Sequence, residues 1–226
     1  MMKKLTVSAL LGACAILAAS PAQAGSTDGK VQVKLLATGV LPDGKITALE
    51  NNAIGLPTGS QTSANDNYVP TLAIEYFASD NVSIETICCL TNHKVGGEGP
   101  IAGAAILDHV LILPATVTLK YHVKAGPLKP YVGAGPSMFF YIDERPGATT
   151  AALGGTKVKL DSHLGLALQA GVDVPLGASG FGISLDAKKY FMNTRLHVFN
   201  AAQAEVLTTK HKLDPWVLSG GVSYRF

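Results

Sequence analysis

The 226-residue chain is apolar and sparsely charged: 47% of its residues are hydrophobic, 15% are charged and the formal net charge is +2. Lys3 and Lys4 account for that excess. The residues beyond position 24 balance 16 basic against 16 acidic groups, so no net positive charge points to a nucleic-acid partner. Beyond position 24 no stretch offers 18 uninterrupted apolar residues, which excludes membrane-spanning helices; the nearest, Pro100 to Leu119, is broken by Asp108, His109 and Pro114.

The chain opens with a positive n-region, an apolar run from Leu5 to Ala19 and the A-x-A site Ala22-Gln23-Ala24. Residues 1–24 read as a cleaved signal peptide, with one domain over 25–226. The run is too short for a spanning helix. Leu11-Gly12-Ala13-Cys14 is similar to a lipoprotein box, but apolar residues continue past Cys14. Cys88 and Cys89 are then the remaining cysteines. As strand neighbours they point to opposite faces, which argues for two small packing residues and against a disulfide framework. An exported, apolar, glycine-rich chain leaves two classes: a soluble β protein, or an outer-membrane barrel.

Strand signals follow in order. In the first, Lys30 to Val40, Val31, Val33, Leu35 and Ala37 alternate with Gln32, Lys34, Leu36 and Thr38. Pro42 to Asn67 is polar and rich in turn residues, and reads as an irregular loop. The second strand is Tyr68 to Phe77 and the third Val82 to Thr91, joined by the tight turn Ser79-Asp80-Asn81. Asn92 to Leu111 reads as a loop with an unusually apolar second half, AGAAILDHVLIL. Two readings of that half stand: a functional loop, or a strand extension or short helix packed on a rim. The fourth strand is Ala115 to Lys124 and the fifth Pro130 to Tyr141. A Gly/Thr-rich loop, Asp143 to Lys157, precedes the sixth, Lys159 to Val174. The seventh is Phe181 to Thr194, and a loop from Leu196 to Leu213 leads to the last, Asp214 to Phe226.

Eight strands result, and their connections alternate long and short. An outer-membrane barrel has an even strand count, short periplasmic turns and long outer loops. A soluble lipocalin-like barrel would show the same alternation with its apolar face inward. Parity of loop lengths favours the all-β, eight-stranded antiparallel transmembrane barrel.

With the apolar face toward lipid, the inward set is Glu75, Glu85, Lys120, His122, His163, Asp173, Asp186, Lys188 and Arg225. Buried charges need partners. Glu75 and Glu85 are expected to pair with Lys120 or Arg225, and Asp186 with a neighbouring base. This network reads either as a structural plug near the periplasmic half or as a polar conduction path. No HExxH, GxSxG or CxxC motif occurs, and the six histidines lack close metal-ligand spacing, so no catalytic residue, metal or cofactor is expected. Gly133-Ala134-Gly135 lacks the third glycine and following helix of a dinucleotide site.

The runs LPATVTLKYHV (113–123), KPYVGAGPSMFFY (129–141) and DPWVLSGGVSYRF (214–226), with EYFASDNVSIE (75–85) and LDAKKY (185–190) in the same order, resemble the OmpW family of outer-membrane proteins. Two departures stand out: Ala115, often proline in that pattern, and the Cys88-Cys89 doublet, where aromatics are common. The resemblance implies a narrow, largely apolar channel in the outer half, passing small hydrophobic molecules. Ile106, Leu111, Leu113, Phe139 and Tyr141 are its candidate lining, with Phe140 facing lipid. Expected partners are outer-membrane lipid and lipopolysaccharide, small hydrophobic solutes, and the barrel-assembly machinery through the C-terminal strand. The alternative is a closed structural or receptor barrel without transport.

Overall fold

The first and last strands meet. In the computed structural model, which describes Ser26 and residues 28–226, β1 (Val31–Leu41) runs antiparallel to β14 (Trp216–Arg225), in register from Gln32 opposite Arg225 to Leu41 opposite Trp216. On its other edge β1 pairs with β4 (Asn67–Phe77). The ladder continues through β5 (Val82–Cys88), β7 (Ala105–His122), β8 (Lys129–Pro146), β10 (Leu164–Pro175) and β11 (Phe181–Phe191), and returns to β14. These eight strands form a closed antiparallel transmembrane barrel, as the sequence predicts. The signal-peptide reading concerns residues 1–24, which lie outside the described residues.

The alternation decides which face is outside. Leu35 (59% exposed), Leu119 (58%), Val132 (62%) and Leu164 (70%) cover the outer wall, whereas Glu75 (0%), Lys34 (1%) and Lys120 (1%) are sealed in the lumen. A lipocalin-like soluble barrel would reverse this, so that reading is excluded. Three short turns close one end: 78–81, 123–128 and 176–180. Gly177 and Gly180 take φ values of 72° and 82° in the last of these, a conformation that side chains with a Cβ rarely adopt.

At the other end the long connections are not irregular, which corrects the loop assignments. The segment 42–67 holds β2 (Lys45–Asn52) and β3 (Gln61–Ala64). The segment 92–111 is built from β6 (Thr91–Glu98) and the first turns of ladder of β7, so its apolar half is a strand extension. A short helix, α1 (Ala148–Ala152), and β9 (Gly155–Leu160) occupy 143–160. The last loop is the hairpin of β12 (Asn193–Asn200) and β13 (Glu205–Lys212). Strands β2, β13, β12 and β9 form, in that order, a second sheet.

The phase of burial inverts at the rim. Along the barrel wall the outward-facing side chains are apolar. Above it, Leu107, Val110, Val158, Leu196, Val198 and Leu207 turn inward and pack together, while Lys157, Lys159 and Lys210 turn outward. The cause is the surroundings: below the rim the outside is hydrocarbon, above it water. The wall strands break where the phase changes, at Cys89-Leu90, 161–163, Met192 and 213–215. Asp214 organises one break. Its φ is 34°, its Oδ1 accepts from the Met192 amide at 3.0 Å, and its carbonyl accepts from Lys189 Nζ at 2.6 Å.

Candidate functional site

The lumen is divided into a charged floor and an apolar chamber. In the floor, Lys34 Nζ stands 2.8 Å from Glu75, 3.1 Å from Glu85 and 3.3 Å from Asp173. Lys120 Nζ lies 2.9 Å from both Glu75 and Glu85, and 3.6 Å from the centre of the Tyr131 ring. Lys188 bridges Glu85 at 3.1 Å and Asp186 at 2.6 Å. Neutral groups complete the set. Gln169 Nε2 donates to Glu85 and Asp186, Tyr131 Oη donates to Asp186 at 2.8 Å, and Ser83 Oγ donates to Glu75. Gly171 makes room for Tyr131, since a Cβ there would lie 2.4 Å from the phenol oxygen. Each ammonium thus has two or more anionic partners, the condition under which charges persist in a low-dielectric interior.

Above the floor lies a cavity of about 110 Å³. Ile87, Cys89, Phe139, Tyr190 and Val217 form its base. Its upper walls are Val95, Leu107, Val110, Ile112, Tyr141 and Leu196, with β3 contributing Thr62, Ser63 and Ala64. An apolar cavity of roughly 150 Å³ holds benzene in an engineered protein, so a space of this order suits a small apolar molecule. Two histidines line it above the rim. Burial pushes His211 down to about 4, and its ring contacts Thr209 Oγ1 at 2.7 Å and Thr62 Oγ1 at 3.4 Å. Burial also lowers His93, which meets the Asn65 carbonyl at 2.7 Å. Both rings are therefore neutral near pH 7, and the chamber wall carries no charge there.

The closed eight-stranded wall is shared with known proteins. The family model described as "OmpW family" matches residues 27–226. The chain belongs to the OmpW family. The outer-membrane protein y4mB of Sinorhizobium fredii is 34% identical, over 95% of this chain and 90% of that one. Outer membrane protein W of Vibrio cholerae is 29% identical over 76% of this chain and 79% of its own. The crystal structure of OprG from Pseudomonas aeruginosa superposes with a TM-score of 0.76 at 23% identity, covering 89% of this chain and 98% of that one, which speaks to the fold alone. Membership places the protein in the Gram-negative outer membrane, supports a general channel role, and is consistent with a non-enzymatic barrel. Among the described residues no group of His, Cys, Asp and Glu could hold a metal ion.

Within this OmpW-family barrel, the five residues of the expected charge network lie in the lumen, and four of them meet. Glu75, Glu85, Lys120 and Asp186 belong to one connected cluster, whereas Arg225 does not join it. Its Nε donates to the Gly29 carbonyl at 2.5 Å, and its guanidinium stacks 3.6 Å from the centre of the Phe77 ring. The reason is height: Arg225 sits at the periplasmic mouth, opposite Gln32 and two residues below the Lys34 level. His163 also departs from the inward set, because 161–163 is a strand break that leaves it facing Asp161 at 4.0 Å. Lys34 was absent from the inward set, although it shares the phase of Gln32 and Thr38 in the first strand.

Of the expected lining, Phe139 and Tyr141 border the chamber and Phe140 is 39% exposed on the outer wall. Leu111 and Leu113 do not border it. They share the parity of the lipid-facing Val117, Leu119 and Tyr121, and Val110 and Ile112 take the inward places instead. Ile106 packs against the surrounding apolar cluster without reaching the cavity. A register shift around His109 moves the inward phase to Leu107 there. That shift leaves no mark in the sequence, because Ile106, Leu107, Leu111, Ile112 and Leu113 are all apolar.

Proposed function

We propose that the protein is a narrow channel for passive passage of small hydrophobic molecules across the outer leaflet. The observation that carries this reading is the apolar chamber at the outer end, seated on an ion-paired floor. An apolar solute gains by leaving water for Phe139, Tyr141, Val110 and Ile112, by about 25 cal/mol per Å² of apolar surface. The charged floor offers it no such gain, so it does not continue down the lumen.

The exit that fits is sideways, between β4 and the β5/β6 wall. The ladder there runs from Phe77 opposite Ser83 to Leu72 opposite Cys88 and then stops. β6 pairs with β3 and β7 rather than with β4. Pro70 stands beside the gap and has no N–H to donate. Buried Asn92 Oδ1 flanks it without a hydrogen-bond partner. At the outer edge Asn67 Nδ2 spans the gap to Thr91 Oγ1 at 3.0 Å and the Asn92 carbonyl at 2.8 Å.

Uptake of a panel of small apolar solutes into cells lacking the gene, with and without complementation, tests the reading; a drop restored by the gene supports it. Unchanged uptake across the panel overturns it. A second reading, a closed structural or receptor barrel, is favoured by the density of the ion-paired floor. Proteoliposomes that show neither solute flux nor planar-bilayer conductance would decide for it.

A further inference from the structure

The outer sheet β2-β13-β12-β9 carries a basic face that the chamber does not use. Arg195 and Lys210 are direct cross-strand partners, and so are Lys212 and Lys45. Lys159 stands opposite His197, and Lys157 opposite Phe199. Like charges placed directly opposite one another weaken a sheet. The carboxylates on this face do not cancel them. Glu50 is taken by Arg195 at 3.0 Å, Asp161 and Glu205 flank His197 at 3.3 Å each, and Asp214 is held by Lys212 at 2.7 Å. Lys45, Lys157, Lys159 and Lys210 are exposed, and among the described residues none has a carboxylate within ion-pair distance.

The height of this face selects its occupant. Exposed Trp216 and Phe191 mark the outer edge of the lipid-facing wall, and Lys189 lies 5.1 Å over the Trp216 ring. Aromatic girdles of this kind sit at the membrane interface. Lys212 comes four residues beyond Trp216 and Arg195 four beyond Phe191, so the Lys45 and Lys210 rows stand just above the lipid-facing wall, and Lys159 and Lys157, opposite His197 and Phe199, continue the basic face two and four residues further out. There the surrounding anions are the phosphates of lipopolysaccharide.

We propose that this face binds the phosphorylated saccharide headgroup of lipopolysaccharide, with Lys45, Lys157, Lys159 and Lys210 set against its phosphates. The proposal rests on the outer-membrane location and not on what the chamber carries. The test uses the full barrel in phosphatidylcholine nanodiscs, titrated with rough lipopolysaccharide and with its dephosphorylated form. The wild type is expected to bind the phosphorylated form at least tenfold more tightly. The fourfold change of Lys45, Lys157, Lys159 and Lys210 to Gln is expected to lose that preference, and the same four changed to Arg to keep it. Lys124→Gln/Lys129→Gln, at the periplasmic end, is expected to change nothing. Folding is verified by heat-modifiable migration; should the fourfold variant fail that check, Lys157→Gln/Lys159→Gln on the edge strand takes its place with a partial loss expected. Equal binding of both lipid forms, or affinity of the Gln variant within twofold of wild type, overturns the proposal. So does inorganic polyphosphate competing as well as lipopolysaccharide at equal phosphate, since that would show an anion surface without a glycolipid preference.

Discussion

Lys34 and Glu85 lie 51 residues apart in sequence and meet in the lumen with 3.1 Å between ammonium and carboxylate. Neither is surrounded by water, and each holds a second partner: Lys34 also reaches Glu75, and Glu85 also binds Lys188.

Removing one member of such a cluster leaves the others buried without compensation. Lys34→Met is expected to destabilise the folded barrel by about 3–5 kcal/mol. Urea unfolding in detergent, followed by tryptophan emission from Trp216, measures this. Lys34→Met/Glu85→Leu should recover most of the loss, because it removes a cation and an anion together. A single substitution within 1 kcal/mol of wild type would show that the floor is hydrated rather than dry.

The lateral gap gives a direct handle on flux. The register position after Leu72 opposite Cys88 would set Thr71 opposite Cys89. In a Cys88→Ser background, Thr71→Cys is expected to form a disulfide with Cys89 under oxidising conditions and to cut apolar-solute uptake at least fivefold. Reductant should restore it. A bridge that forms, verified by mass, yet leaves uptake unchanged would rule out this gap as the exit.

Chamber polarity and the parity of β7 can be tested together. Ile112→Asp is expected to reduce apolar-solute uptake at least tenfold, an effect of about 1.4 kcal/mol. Leu111→Asn, one residue away on the opposite face, should leave uptake within twofold. Equal effects from both would show that the inward phase of β7 is not the one described.

Acid should loosen the roof of the chamber. The unfolded chain protonates His211 near 6.5, whereas in the folded sheet burial holds it at about 4. The unfolded state therefore binds more protons between those values. Stability of the outer sheet is full above pH ~6.5, declines as the pH falls toward 4, and levels off below with a loss of about 3 kcal/mol. Hydrogen exchange at β3, which packs on His211 through Thr62, should accelerate across that window. His211→Gln should flatten the profile. An unaltered pH profile in that variant would assign the acid response elsewhere, with His93 the next group to examine.

The wall of the barrel was legible in the sequence because hydrocarbon imposes a strict rule. Every second residue must be apolar, and the rule holds from Leu164 to Val174 and from Trp216 to Val222. The outer strands obey a different rule. In β12, Leu196 and Val198 point inward and Arg195 and His197 outward, the reverse of Ile183 and Leu185 against Ser184 and Asp186 in β11. A reading with one fixed phase loses the pattern at the crossover and assigns a loop. Glu75, Glu85, Lys120 and Asp186 could be placed inward because charge on a strand of this kind has one tolerable side. Of the two bases expected for Glu75 and Glu85, Lys120 is the one that reaches them; Arg225 faces inward but stays below the cluster, because alternation gives the face of a residue and not its height. Lys34 could have been found by applying the phase rule to the first strand as strictly as to the others.

The floor draws on β1, β4, β5, β7, β8, β10 and β11. A half-inserted sheet, before β1 meets β14, would hold Lys34 or Asp186 against lipid with half its partners missing. Intermediates of insertion are therefore penalised electrostatically, and the barrel should enter the membrane nearly all at once, with the charge cluster acting as a checkpoint on closure rather than a contributor to any single strand.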